Sequence, residues 1–220
     1  MIMVMSTLIN RIFKRKITIH TIGDSHAKIP WENIRIKDFE INTNRLGPRL
    51  MFTVGENPDI ISLKNFKIKK KDIIIFCFGE IDCRCHVWKH KNRGYKTVID
   101  SLVKNYISSI ILATKKVNKT KVFIHSVVPA IRKEQHLNNE VPELPFLGND
   151  KTRKSYVLYM NRVLKNSCAM NGFNFFDIYD FYTDSDGYLD YELSDKNVHI
   201  GNHKYIEKYI INTIIPLLKK

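Results

Sequence analysis

Apolar runs and helical repeats alternate along the chain, an alternation typical of a parallel sheet whose strands are connected by helices. The run after Lys71 is uninterrupted, as a strand buried on both faces requires. The predicted strands are Ile17–Ile22, Leu50–Val54, Asp72–Phe78, Lys121–Val128 and Phe173–Asp177. We therefore predict an α/β fold with a mostly parallel sheet.

Three helices are predicted from apolar residues spaced three and four positions apart. They cover Val98–Ile111, Tyr156–Leu164 and Tyr205–Ile214, and Pro216 is expected to end the last one. The stretch 130–150 is polar and close to several prolines, so it is predicted to be a long loop at the ligand-binding edge of the sheet. No domain boundary is visible among these elements.

The length of 220 residues is enough for one domain, predicted over 17–220 with an N-terminal extension at 1–16. The formal net charge of +14 would favour anionic partners. However, the chain is rich in Ile, Lys and Asn, a bias that an AT-rich genome produces, so the charge is discounted. The lysines are dispersed and no nucleic-acid-binding motif is visible, which argues against a nucleic-acid partner.

The four cysteines form no readable disulfide framework, so a reducing compartment is expected. The apolar start Met1–Ile9 precedes the basic cluster Lys14–Lys16, the reverse of the order in a signal peptide. No later run is long and uncharged enough to span a bilayer. We expect a cytoplasmic protein whose first residues are a flap packed on the domain or a weak membrane-surface anchor.

The motif Gly23-Asp24-Ser25 directly follows the first predicted strand. It would place a serine at the carboxyl edge of the sheet, where open α/β folds bind ligands. A serine there becomes a nucleophile if a histidine reaches it, and His199 lies just before the last helix, four residues after Asp195. We predict Ser25 as nucleophile, His199 as base and Asp195 as its orienting carboxylate.

Each of these assignments has an alternative. Gly-Asp-Ser is also a common strand-ending turn and helix cap. His203 competes for the role of the base, and Asp186 or Asp190 could replace Asp195.

The order of these motifs resembles the SGNH/GDSL hydrolase superfamily, from about Ile17 to the C-terminus. Gly23-Asp24-Ser25 is similar to the first block of that family, Val198-His199 to its last block and Phe78–Asp82 to its third. The resemblance implies a three-layer α/β/α flavodoxin-like fold and a serine esterase or acyl hydrolase that needs no cofactor. Family breadth suggests an O-acylated carbohydrate as substrate. The alternatives are an acyltransferase and a non-catalytic glycan-binding relative.

Two departures from the family pattern concern the predicted site. Ile81 stands where the family has an oxyanion-binding Asn, and the last block is usually Asp-x-x-His, whereas Lys196 occupies the expected Asp position here. Either the last loop carries one extra residue or the histidine lacks its usual partner. Losing one oxyanion donor typically costs roughly a hundred- to a thousandfold in rate.

Candidate oxyanion and substrate-binding groups are the Ser25 backbone N–H and residues Gly47, Gly79, Asp82 and Arg84. Gly55 is the rival of Gly47. Arg84 is expected to point towards the Ser25 pocket, unless it is a structural ion-pair partner of Asp82 or Glu80.

The stretch that follows Asp82 suggests a zinc site, because it is rich in cysteine and histidine. The candidate ligands are Cys83, Cys85, His86 and His90. Their spacing differs from that of structural zinc sites and no second ligand pair is evident, so no metal is predicted.

Overall fold

The computed structural model describes residues 16–136 and 142–218. Five parallel strands form one sheet in the order β2–β1–β3–β4–β5. The strands are β1 Ile17–Gly23, β2 Phe39–Arg45, β3 Ile73–Cys77, β4 Val122–His125 and β5 Asn174–Phe176. This is the flavodoxin-like order, in which the chain reverses its direction of winding between β1 and β3. The predicted fold class is therefore confirmed.

Five helices pack on the sheet in the described part of the chain. They are α1 Met51–Glu56, α2 with a π-helical turn Asp82–His86 continuing as Val87–Lys89, α3 Tyr95–Thr114, α4 Asp150–Asn171, and α5 with segments Lys204–Tyr209, Ile210–Ile214 (π-helical) and Ile215–Leu217. Short 3₁₀ turns cover Ser25–Ala27, Pro58–Ile61, Leu63–Asn65, Lys91–Arg93, Lys119–Lys121, Lys133–Gln135, Tyr179–Tyr182 and Tyr191–Leu193. No helix among residues 16–136 and 142–218 is long and apolar enough to cross a membrane.

Two hydrophobic cores lie on opposite faces of the sheet, as the alternation of side chains along β3 shows. Ile74 and Phe76 pack in the core beneath α1 to α4, whereas Ile73 and Ile75 pack in the core beneath α5. Trp31, fully buried, fills the second core. Helices on both faces explain why the strand sequences are continuously apolar.

The prediction of a strand at Leu50–Val54 is wrong, because Met51–Glu56 is helix α1. Met51 and Val54, three residues apart, both point into the core. The second strand is instead Phe39–Arg45, which among the described strands pairs only with β1 and is alternately exposed and half-buried along most of its length. As an edge strand it needs no apolar run, so it carries polar residues such as Asn42 and Asn44.

The other predicted strands and helices are confirmed, with ends that shift by up to seven residues. The last helix differs in one detail, since it does not end before Pro216. Pro216 lies directly after the π-helical segment, in which the Ile215 backbone N–H donates to the Ile210 carbonyl five residues earlier. The predicted flap or anchor at the N-terminus lies outside the described residues, apart from Lys16.

Gly23 lies where β1 and β3 approach most closely. A Cβ atom built there would be 1.9 Å from the carbonyl oxygen of Cys77, so any side chain would force the strands apart. Gly172 provides a comparison, because its φ of +73° and ψ of 23° are left-handed helical and favour glycine, but the nearest atom to its Cβ position is Lys119 Cδ at 3.8 Å.

Gly23→Ala is expected to lower the free energy of unfolding by about 3 kcal/mol or more, since a backbone atom must move. Gly172→Ala should cost only about 1 kcal/mol of backbone strain. Urea unfolding of the two variants tests this difference. Equal losses in the two proteins would contradict the close approach at Gly23.

Candidate active site

Ser25 lies at the carboxyl edge of the sheet because β1 ends at Gly23 and a 3₁₀ turn, Ser25–Ala27, follows immediately. The buried Asp24 begins this turn, since its Oδ1 accepts a hydrogen bond of 2.8 Å from the His26 backbone N–H. Burial raises the pKa of Asp24 well above its usual value. The turn therefore holds the serine hydroxyl at the mouth of the crevice.

His199 contacts Ser25 from the other end of the chain. Its Nε2 lies 2.8 Å from Ser25 Oγ, and its Nδ1 lies 2.7 Å from Asp195 Oδ2. The structure thus brings together the three residues that the sequence predicts as nucleophile, base and orienting carboxylate. In this arrangement one ring nitrogen can accept the serine proton while the other donates to the carboxylate.

The four-residue spacing between Asp195 and His199 is accommodated by a tight turn. Lys196 adopts a left-handed conformation with φ of +64°, which turns the backbone so that Asp195 N donates to His199 O at 3.0 Å. Asp195 Oδ1 accepts from the backbone N–H groups of Asn197, at 2.9 Å, and His199, at 3.1 Å. The Asp195 carboxylate therefore reaches the His199 ring despite the longer spacing.

Hydrogen bonding also sets the charge state of Asp195. Desolvation acts to raise its pKa, but the hydrogen bonds from the His199 ring and from the backbone outweigh that effect and hold the pKa below the usual value. A carboxylate that stays ionised is what an orienting group beside an imidazolium requires.

The alternative partners are engaged elsewhere. Asp186 accepts from Arg132 at 2.7 Å, and Asp190 accepts from the Glu192 backbone N–H at 2.9 Å. His203 Nε2 lies 3.4 Å from Glu207.

A cleft of about 310 Å³ opens above Ser25 and His199. Its other lining residues are Ile29, Arg45, Pro48, Ile81, Arg84, His136, Leu144, Phe146, Asn197 and Val198. Ile81, at the position of the family's Asn, presents an apolar side chain to this space and cannot donate a hydrogen bond.

Arg84 lines the cleft, but its guanidinium is occupied. Nε and Nη2 donate to the two carboxylate oxygens of Glu80 at 2.7 and 3.1 Å, and Nη1 donates to the Leu144 carbonyl. The guanidinium also packs over the Phe146 ring at 5.2 Å. Burial alone would raise the pKa of Glu80, but the Arg84 charge holds it well below its usual range. Arg84 therefore binds the segment that contains Leu144 and Phe146, which forms one wall of the cleft.

Two predicted oxyanion or substrate-binding residues do not face the cleft. Asp82 is fully buried and accepts hydrogen bonds from the Met51 and Phe52 backbone N–H groups, at 2.7 and 3.1 Å, at the start of α1. Burial raises its pKa to about 7. A Cβ atom at Gly79 would lie 2.7 Å from Val127 Cγ2, so this glycine, with φ of +114°, serves close packing.

Gly47 and its rival Gly55 have different surroundings. Gly47 has φ of +79° and lies in the turn between Arg45 and Pro48, which both line the cleft. Gly55 lies in α1, and a Cβ atom there would be 2.9 Å from the Asn105 side chain. Of the two glycines, Gly47 is the one beside the cleft.

The two cysteines that follow the third block, Cys83 and Cys85, face the protein interior. Cys83 Sγ contacts Met160 Sδ at 3.6 Å and Cys85 Sγ donates to the Ile81 carbonyl at 3.2 Å. His86 instead stacks on Phe52, with ring centroids 4.5 Å apart. Within residues 16–136 and 142–218, no group of three or more His, Cys, Asp or Glu side chains is placed to hold a metal ion.

His26 is a site residue that the sequence analysis missed. Its buried ring packs on the His199 ring, with centroids 4.7 Å apart, and its Nε2 lies 3.8 Å from Glu80 Oε2. Burial lowers the pKa of His26, which favours the neutral ring. The only signal was its position next to Ser25, which does not reveal a contact with a residue 173 positions away.

Solved structures share this architecture. They include an aryl esterase from M. smegmatis (15% identity, TM-score 0.58, covering 91% of this chain and 99% of that chain). A GDSL-like lipase from Bacteroides thetaiotaomicron matches at 13% identity and a TM-score of 0.59, covering 92% and 88%. A catalytic mutant of an acetylxylan esterase from Geobacillus stearothermophilus matches at 12% identity and a TM-score of 0.56, covering 91% and 93%.

The chain has the fold of GDSL lipases and esterases. At these low identities the likeness concerns the fold. No protein-family model matches the sequence, and no curated protein sequence matches it.

Arg84→Ala is expected to lower the free energy of unfolding by roughly 3–5 kcal/mol, because it leaves Glu80 charged and buried without a partner. The double variant Glu80→Gln, Arg84→Met should lose less, since it removes both charges. Chemical denaturation of the three proteins measures the difference. Wild-type stability in Arg84→Ala would contradict the structural role of the pair.

Proposed function

We propose that this chain is a serine-dependent esterase or acyl hydrolase of the SGNH/GDSL type. The main support is the contact of 2.8 Å between Ser25 Oγ and His199 Nε2, at the base of an open cleft. The Asp195 carboxylate, 2.7 Å from the other ring nitrogen, adds to it. A helix cap or turn serine needs neither partner, so this arrangement favours an enzyme over a non-catalytic relative.

The proposed reaction proceeds through an acyl-enzyme. Ser25 Oγ attacks the ester carbonyl carbon while His199 Nε2 takes the hydroxyl proton, and the carbonyl oxygen becomes an oxyanion. The carbon–oxygen bond to the leaving alcohol then breaks, and His199 returns its proton to that alcohol. Water attacks the acyl-serine by the same steps, which releases the carboxylic acid and restores Ser25.

The oxyanion would be bound by backbone groups. We propose the N–H groups of Ser25 and Gly47, because Gly47 lies two residues after β2, between Arg45 and Pro48, which line the cleft. The apolar Ile81 supplies no third donor, so turnover should be slower than in an enzyme with a complete oxyanion hole, by roughly a hundred- to a thousandfold.

The cleft limits the substrate to a small ester group. Much of its wall is apolar, formed by Ile29, Pro48, Leu144, Phe146 and Val198, and its volume is about 310 Å³. A short acyl chain would fit this space. We propose an O-acylated carbohydrate as the natural substrate, supported by the shared fold with an acetylxylan esterase.

A fluorophosphonate probe is expected to form one covalent adduct on Ser25, detected by intact-protein mass spectrometry and absent in Ser25→Ala. Labelling that persists in Ser25→Ala would exclude Ser25 as the nucleophile.

His199→Ala should lower kcat for p-nitrophenyl acetate by roughly four orders of magnitude or more, because the serine loses its base. His203→Ala is the control and should retain most activity.

Asp195→Asn is expected to lower kcat by about 10⁴-fold without unfolding the loop. The Asn oxygen would accept the two backbone N–H groups that now bind Asp195 Oδ1. Its amide would then face His199 Nδ1 and fix the tautomer whose Nε2 carries a proton and cannot accept one from Ser25. Steady-state kinetics test this expectation. Unchanged kcat would assign the carboxylate role to no residue in this loop.

A further inference from the structure

The cleft above Ser25 contains one cation whose charge is not neutralised by the described residues. Arg45 is exposed and lines the cleft, and its guanidinium makes no hydrogen bond or ion pair with any residue of 16–136 or 142–218. The other cation, Arg84, has its guanidinium bound to Glu80 and to the Leu144 carbonyl.

The position of Arg45 places it beside the proposed nucleophile. It is the last residue of β2, and in the pairing of β1 with β2 its Cα is matched with that of Gly23, two residues before Ser25. The carboxyl ends of these strands meet at the crevice. A substrate whose ester carbonyl is at Ser25 therefore shares one cleft with this guanidinium.

Among the described residues, the rest of the polar lining carries no carboxylate. None of these lining residues is an aspartate or a glutamate. Asn197 Oδ1 accepts from the Val198 backbone N–H at 2.8 Å, and the amide NH₂ has no partner among the described residues. The carboxylates of Glu80 and Asp195 are bound by Arg84 and His199, and the exposed Glu143 does not line the cleft.

We propose that the ester substrate carries a negatively charged oxygen group, of the carboxylate class, that binds Arg45. This inference rests on the proposed esterase function and narrows its substrate class. A guanidinium offers paired donors to such a group, and charge-assisted hydrogen bonds are about twice as strong as neutral ones. An uncharged ester would leave the Arg45 guanidinium without a ligand.

Two matched pairs of esters test the proposal, because the charge could lie on either side of the scissile bond. For the leaving group, 4-acetoxybenzoate is compared with its uncharged methyl ester. For the acyl group, p-nitrophenyl hydrogen glutarate is compared with p-nitrophenyl pentanoate. Each kcat/KM is divided by the rate constant for hydroxide-catalysed hydrolysis of the same ester, which removes differences in intrinsic reactivity.

The wild type should prefer the anionic member of at least one pair by roughly tenfold or more, the range expected for one charge-assisted contact. Arg45→Gln should remove most of this preference, mainly by raising KM for the anionic ester. The uncharged ester should change less than about twofold, because it does not use Arg45. Added salt should weaken the wild-type preference, since Arg45 is exposed.

Arg49→Gln is the matched control. Arg49 lies in the loop that follows Arg45 and is also exposed, but its Nε donates to the Leu46 carbonyl and it does not line the cleft. The substitution removes the same charge from the same region. It should therefore retain the anionic preference.

The outcomes separate this inference from the proposed function. Turnover that depends on Ser25 but shows no anionic preference, or a preference that survives in Arg45→Gln, overturns the inference and leaves the esterase intact. If no ester is hydrolysed, calorimetry with Ser25→Ala decides. Binding of 4-acetoxybenzoate, but not of its methyl ester, that Arg45→Gln abolishes supports the anion site. Absence of that binding overturns it.

Discussion

The close approach of β1 to β3 at Gly23 is the constraint on which the rest of the site depends. Asp24 N donates to the Cys77 carbonyl at 3.3 Å, and Leu46 N donates to the Gly23 carbonyl at 2.7 Å. These bonds join the ends of three neighbouring strands around one residue that has no side chain. The serine turn, the loop after β2 and the third block therefore start from the same point, and small errors in strand pairing would separate the groups that must meet.

The charged side chains next to the cleft are buried as well as paired. Glu80 and Arg84 neutralise each other behind the cleft, and the buried Asp82 binds the first backbone N–H groups of α1. Removing carboxylates from the cleft surface leaves its walls apolar or donating. Such a lining is suited to a reaction in which negative charge develops on the substrate, because no fixed anion opposes it.

The sequence allowed most of the sheet to be predicted, because strands buried on both faces are continuously apolar. The prediction failed at β2, because an edge strand rich in polar residues has no continuous apolar run. The prediction therefore places the second strand at the apolar residues of α1. Ser25, His199 and Asp195 could be predicted because strand ends and motif order place them. The inward turn of Asp82 could not, since the same acidic residue type suits a cleft or a helix start. The contact of His26 with His199 depends on tertiary packing alone.

Lys196 shows how a short loop can bring together two side chains that are four positions apart. It adopts a left-handed conformation, and Asp195 lies 2.7 Å from the His199 ring. Motif descriptions count positions along a chain, whereas chemistry depends on atoms in space. A search that requires one fixed spacing would therefore miss this pair, and the geometry of the side chains is the better guide to such a site.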